Sequence, residues 1–410
     1  ISLIHNAQVF EWDSNATNAV TNRATIIAGA PTASRDMLVS TPDRHLVFFG
    51  TEETIGDPTT QDEMFIRFSD QEDINTYQPT AVNTAGTQRL ADGSKIVGAV
   101  RGRDATYIWT DTSLFTMRFI GQPLTFGFQQ VGTNCGLIGQ NAALEVDGAA
   151  YWLSENGFFR YSGSLETMTC LVEDFVYNDL NTTANQLINV GLNNLFGEIT
   201  WFYCTESSTV VNRCVTYNYQ DSSPQRPVWT TGTLARGSWT DSSVFGLPHA
   251  TFFNASDDSS FDVQGNTEGS TIYFEHEKGT DEALANGVTA ITSNIESGDF
   301  DITQARSSTG QQTGVATFKG DGEFLMKIRR FIPDFLSQTG NTQVTLQLRN
   351  YPNSSQASSP LGPFTITSST DKVDTRARAR AISLKVANTA VGQSWKLGTF
   401  RLDTQPDGRR

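Results

Sequence analysis

Short runs of alternating apolar and polar residues, broken by clusters of Ser, Thr, Asn, Asp and Gly, recur along the whole chain. A period of two is the pattern of strands half buried on a sheet, and the polar clusters are the turns between them. Two stretches repeat the pattern closely: YIWTDTSLFTMRFIG at 107–121 and YWLSENGFFRYSG at 151–163. Trp109 precedes Phe115 by six residues, as Trp152 precedes Phe158, and the tryptophans lie 43 residues apart. Each stretch reads as strand, polar turn, strand, with Ser154, Glu155, Asn156 and Gly157 forming the second turn.

Other segments fit the spacing more loosely. HLVFFGTEE at 45–53 leads into MFIRFSDQED, whose Phe65 stands 44 residues before Trp109. Trp201, in GEITWFYCTESSTVVNRCVTYNYQ, follows Trp152 by 49 residues, and PHATFFN at 248–254 leads to STIYFEHEKG at 270–279. A period of roughly 40 to 50 residues with several strands per unit predicts a β-propeller of about five to six blades. The competing reading is a large β-sandwich whose hairpins look alike. The propeller is expected over 36–285, with Trp109, Phe115, Trp152, Phe158 and Trp201 as blade-core residues. Residues 1–35 read as an N-terminal arm packed on the body. Residues 286–410, which lack the aromatic unit, read as a β-rich region, either sandwich-like or an extension of the propeller. GTDEALANG at 279–287 is expected to form a short helical turn. The whole is an all-β chain.

Composition changes this picture little. No apolar stretch approaches the eighteen or so residues of a membrane span, and no signal-peptide pattern is visible. The chain opens on Ile1, so its natural start is expected to be trimmed or to lie outside these residues. The net charge of −15, from 29 basic and 44 acidic side chains, argues against general nucleic-acid binding but is compatible with DNA passing without adhering. The four cysteines, Cys135, Cys170, Cys204 and Cys214, have no CxxC spacing and read as buried free thiols. The four Asn-x-Ser/Thr sequons are expected by chance in so polar a chain.

No catalytic motif is evident. His5, His45, His249 and His276 form no spaced ligand set, and no GxSxG elbow, P-loop or GxGxxG occurs. Acidic turns at Asp70, Glu72 and Asp73, and at Asp257, Asp258 and Asp262, offer oxygens of the kind calcium takes, but neither matches the twelve-residue calcium loop. They read as solvated turns. The chain is therefore expected to be no enzyme, with no cofactor and no metal. The most distinctive charge feature is DTRARARAISLKV at 374–386. On one strand Arg376, Arg378 and Arg380 share a face that Ile382, Leu384 and Val386 continue. That face is a candidate inter-subunit seam, since arginine tolerates partial burial and forks onto carboxylates. Arg409 and Arg410 are grouped with it.

NCGLIGQNAALEVDGAAYWLSENGFFRYSG, GEITWFYC, NIESGDFDI and the closing WKLGTFRLDTQPDGRR, in that order, resemble the tail hub and nozzle proteins of short-tailed bacteriophages, the packaged-DNA stabilisation or tail tubular protein B type. The resemblance runs from about residue 40 to the C-terminus. It implies a structural virion protein of the tail, a propeller-based subunit of a hexameric ring below the portal and adaptor rings. Its channel would retain packaged DNA and conduct it on ejection without sequence-specific binding, and fibres or spikes would attach nearby. The alternative is a carbohydrate-binding or carbohydrate-hydrolysing propeller, an adhesin or glycosidase. That would need paired carboxylates about 5 to 9 Å apart and aromatic platforms such as an exposed Trp109 or Trp152. A secreted module, for which only the sequons speak, is a third reading.

Overall fold

The computed structural model describes residues 1–13, 23–40, 43–241, 246–253, 271–284, 287–306, 312–317, 324–351 and 359–408. These fall into two compact units, 1–277 and 278–410, so the division comes slightly ahead of the change in sequence pattern near 285.

The first unit is a β-propeller built from consecutive antiparallel sheets. At its start β1 (Ser2–Leu3), β2 (Val9–Glu11) and β3 (Thr25–Ile26) form a small sheet. Blade A is β4 (Asp36–Ser40), β5 (His45–Phe49), β6 (Phe65–Phe68) and β7 (Gly86–Arg89). Blade B is β8 (Ile96–Arg101), β9 (Thr106–Thr110), β10 (Ser113–Gly121) and β11 (Thr125–Thr133). Blade C is β12 (Ala143–Val146), β13 (Ala149–Ser154), β14 (Gly157–Tyr161) and β15 (Leu165–Thr167). Blade D is β16 (Asn189–Asn193), β17 (Glu198–Tyr203), β18 (Arg213–Asn218) and β19 (Trp229–Gly232). Blade E is β20 (Ser238–Thr240), β21 (His249–Phe253) and β22 (Thr271–Glu275). The first strand of each blade packs against the first strand of the next, β4 on β8, β8 on β12, β12 on β16 and β16 on β20. These are the inner strands. The β1–β3 sheet, where an arm was expected, buries Val9 and Ile27 with Leu46, Phe48 and Tyr77 of blade A.

Tight turns fix the registers. Between β12 and β13 the two-residue loop Asp147–Gly148 has both φ angles positive, 54° and 80°, with Val146 opposite Ala149. This Asp-Gly geometry matches the twist of the strands that it joins. Between β13 and β14 Ser154 faces Gly157, leaving Glu155 and Asn156 as the turn. Trp109, Trp152 and Trp201 are each fully buried on the second strands of blades B, C and D. Phe115 and Phe158 are buried on the third strands. Phe65, matched to Trp109 on spacing, instead opens the third strand of blade A; the second strand there is His45–Phe49. The long connections from β5 to β6 and from β6 to β7 break the simple offset.

A helix that no spacing argument anticipated, α1 (Glu173–Asp179), joins blades C and D. Its Val176 is buried, and Val172 and Leu180, four residues to either side, pack in the same core. Two acids in its first turn, Glu173 and Asp174, suit the positive end of the helix dipole. No helix among the described residues is long and apolar enough to cross a membrane.

In the second unit, the expected helical turn at 279–287 is a hairpin, β23 (Asp281–Leu284) with β24 (Gly287–Ala290). Nine residues are too few for local helix propensity to outweigh strand pairing. There follow β25 (Ser293–Glu296), β26 (Thr303–Arg306), β27 (Gln312–Thr317), β28 (Met326–Ile332), β29 (Phe335–Thr339), β30 (Thr342–Arg349), β31 (Ser359–Ile366), β32 (Val373–Ala379), β33 (Ala381–Asn388), β34 (Ser394–Leu397) and β35 (Arg401–Pro406). A sheet in the order β25-β33-β30-β31 and another in the order β32-β28-β35 share one core. It includes Met326, Ile328 and Phe331 from one sheet and Val344, Leu346, Ile382 and Val386 from the other.

Candidate functional site

The leading ends of the inner strands carry a belt of polar groups linked from blade to blade. Asp36 opens β4 and bonds to the Ala99 backbone of β8 and to Gln140, in the connection ahead of β12. Gly98 admits that connection: a Cβ there would lie 2.7 Å from the Gln140 carbonyl. Asn141 pairs by a backbone bridge with Asn189, which opens β16. The Asn189 side-chain amide donates 2.8 Å to the carbonyl of Arg236, just ahead of β20. Arg236 in turn donates from Nε to His276 Nε2 at 2.8 Å and lies over the Phe274 ring at 3.6 Å.

Two groups in the belt titrate abnormally. Burial lifts the Asp36 carboxyl from 3.8 to about 6, against lowering by hydrogen bonds from Met37, Ala99 and Gln140. A carboxyl poised there can both give and take a proton near neutrality. Burial first, then the charges of Arg236 and His249, lowers His276 to about 4, so its imidazole is neutral and accepts from the guanidinium. Chemically, the belt offers one proton-exchanging carboxyl, amides able to hold hydroxyl groups, and a buried cation. Asn189 Oδ1 is buried without a hydrogen-bond partner, a further acceptor that faces no donor.

The belt was not visible from sequence motifs, because amides and single carboxyls have no diagnostic spacing. The available signal was positional, since Asp36, Asn189 and Arg236 stand at or just before the first strand of a blade. Two of the remaining histidines are held structurally, and His5 is exposed: His45 is fully buried and bonds Thr84 Oγ1 at 3.1 Å, and His249 bonds the Tyr273 hydroxyl. The thiols are not poised as nucleophiles: burial raises Cys135 and Cys214 to about 11 and Cys170 to about 12. All four cysteines are free.

The acidic turn at 70–73 is occupied by its own backbone. Asp70 accepts from the amides of Gln71 and Thr84 and from the Thr84 hydroxyl, and those bonds with Thr84 lower its carboxyl. Glu72 pairs with Arg44 at 2.5 Å. Asp257, Asp258 and Asp262 lie outside the described residues.

The arginine strand requires a correction. Arg376 and Arg378 are exposed and Arg380 half-buried, but they do not share a strand with Ile382, Leu384 and Val386. The chain bends at Arg380 and changes sheets, β32 pairing with β28 and β33 with β25 and β30. Inside β32 the core face belongs to Ala377 and Ala379, and inside β33 to Ile382 and Val386. The bend inverts the alternation, so the cationic face and the apolar face are opposite faces of two strands. Arg378 pairs with Asp407 at 2.5 Å. Arg409 and Arg410 lie outside the described residues.

No protein-family model matches the chain, and no curated protein matches it. Solved structures do. A chain from the S. cerevisiae Dbp5 assembly with Nup159 and Gle1, bound to IP6 and ADP, is 9% identical with a TM-score of 0.31, over 87% of this chain and 90% of that one. An engineered GH43 glycoside hydrolase with endo-xylanase and exo-arabinofuranosidase activity is 11% identical, TM-score 0.28, over 75% and 72%. A GH43 arabinoxylan arabinofuranohydrolase from Bacillus subtilis is 12% identical, TM-score 0.24, over 91% and 95%. None of the three is a virion protein. The expectation that the chain is no enzyme is corrected on this finding: glycoside hydrolases stand among its structural neighbours, and the exclusion of catalysis is withdrawn. At these TM-scores the likeness assigns it no reaction.

Proposed function

We propose that the chain is a propeller subunit of a ring in the tail hub or nozzle of a short-tailed phage, joined to portal and adaptor rings and to fibres or spikes. The proposal rests on the ordered set of strings from residue 40 to the C-terminus that resembles that family. The observation that carries it over a sugar-binding role is the burial of the repeated aromatics. Trp109, Trp152 and Trp201 are 0% exposed, and Phe158 packs between blades C and D at 5.1 Å from Trp201 and 4.7 Å from Trp229. The repeat is spent on rigidity, and its tryptophans form no platform for a ligand. A net charge of −15 per copy suits a lumen that repels the phosphate backbone and lets DNA pass.

Electron microscopy of the purified chain, alone and mixed with portal and adaptor proteins, tests this reading. A six-fold ring with an axial opening is the expected result; a monomer that ignores both proteins overturns it. Replacing Arg376, Arg378 and Arg380 together by Glu tests the seam, with loss of ring assembly expected and normal assembly sinking that role.

One observation favours the second reading, a carbohydrate-acting propeller: the Asp36 carboxyl, raised to about 6 among amides on the inner strands. Under it, the chain binds or cleaves members of a panel of arabino- and xylo-oligosaccharides, and Asp36→Asn abolishes cleavage while sparing the fold.

A further inference from the structure

At the trailing end of β16 three oxygen-bearing side chains meet. Asn193 ends β16 and Glu198 begins β17, directly across from it in the hairpin register. Glu277 follows β22 in the left-handed region, with φ 59°. Asn193 Nδ2 donates to Glu277 Oε1 at 2.9 Å. Asn193 is only 6% exposed, and its Oδ1 has no hydrogen-bond partner. Rotating the amide would not help, because Oδ1 would then face a carboxylate, acceptor against acceptor. A buried acceptor without a donor is costly. Glu198, the cross-strand partner of Asn193, is half-buried on the same face of the hairpin.

We propose that Asn193 Oδ1 and the carboxylates of Glu198 and Glu277 form a calcium site that ties blade D to the segment leaving blade E. Among the described residues neither carboxylate forms an ion pair, and one ion would supply a positive partner to all three. The donors are all oxygen, which selects a hard cation. The donors come from a hairpin turn and a strand end, and calcium accepts six to eight oxygens in flexible geometry whereas magnesium demands a near-ideal octahedron. Backbone carbonyls and water complete the shell. The proposal stands apart from the tail-hub reading and holds whether or not the chain forms a ring.

The test is thermal unfolding of the intact chain, dialysed against EDTA and then titrated with calcium chloride. Saturating calcium is expected to raise Tm by about 4 °C or more. Glu277→Gln and Glu198→Gln lose that rise, whereas Glu53→Gln, at an exposed carboxylate elsewhere, keeps it. An equal rise in every variant overturns the site, because general screening of a chain of charge −15 then explains it. So does a Tm indifferent to calcium that climbs on acidification, which makes a proton the occupant. Should the Gln variants fail to fold, calorimetric titration of the wild-type chain decides: one saturable calcium site per chain is expected, and no binding heat overturns it.

Discussion

Blades B, C and D are joined by rings packed on rings, whereas blades D and E meet through one such stack together with charge and hydrogen bonds. In the first group Trp109 meets Trp152 edge-on at 5.4 Å, and Phe158 meets Trp201 at 5.1 Å and Trp229 at 4.7 Å. Two of these indoles also reach back along the chain, Trp152 Nε1 to the Cys135 carbonyl at 2.8 Å and Trp201 Nε1 to the Ala142 carbonyl at 3.0 Å. At the D–E joint, Trp239 lies flat on Gly191, where a Cβ would come within 2.6 Å of its ring. Trp239 also stacks with Phe202 of blade D at 5.7 Å, and around it stand Arg236, His276, Asn189 and the Asn193–Glu277 bond. The same up-and-down sheet is therefore joined in two ways. The aromatic joint is indifferent to pH and salt; the polar joint depends on protonation.

The largest expected effect breaks the aromatic joint. Trp152→Ala removes the ring that touches both Trp109 and Phe159 and leaves the Cys135 carbonyl without its indole donor. A loss of about 3 to 5 kcal/mol follows from the cavity and the unpaired carbonyl. Urea unfolding measures it. A loss below about 1 kcal/mol would mean that the aromatic packing does not hold these blades together.

The two joints were unequally legible in the sequence. The aromatic one announces itself, because a Trp on the second strand of each of blades B, C and D gives a countable offset, as with Trp109, Trp152 and Trp201. The belt and the D–E joint do not, because Asp36 reaches Gln140, and Asn189 reaches Arg236, only after the intervening strands have folded. Helix α1 could have been found: Val172, Val176 and Leu180 repeat at four-residue intervals behind two acids. The arginine strand misled for a physical reason. Alternation assigns faces only within one strand, and the bend at Arg380 resets it at no cost visible in composition.

A smaller effect sharpens the difference in pH response. His276 binds its proton at about 4 in the folded chain and at 6.5 when unfolded, so between these values the unfolded chain holds more protons. Its contribution to stability is therefore full above about pH 6.5 and is lost as pH falls towards 4. Asp36 acts oppositely in an overlapping window: its carboxyl, raised from 3.8 to about 6, binds protons more tightly when folded and favours the fold as pH falls through 6. The two must be separated by variants. Tm measured from pH 7.5 to 4.5 should fall less steeply in His276→Asn than in wild type, and more steeply in Asp36→Asn. Trp152→Ala should leave the shape of the profile unchanged. Identical profiles in all four proteins would erase the distinction between the joints.

The smallest effect separates two tryptophans that look equivalent in the repeat. Trp109 Nε1 is buried with no hydrogen-bond partner, while Trp152 Nε1 is bonded to the Cys135 carbonyl. Replacing either by Phe removes similar ring area, so the transfer and cavity costs are comparable. The polar terms differ. Trp109→Phe removes a donor that paid desolvation and gained nothing, which offsets part of the lost packing. Trp152→Phe strands an acceptor and has no such offset. Trp152→Phe should therefore be the more destabilising of the two by about 1 to 3 kcal/mol in urea unfolding. Equal losses would mean that the blades B–D joint is governed by packing alone, with the indole bonds contributing nothing.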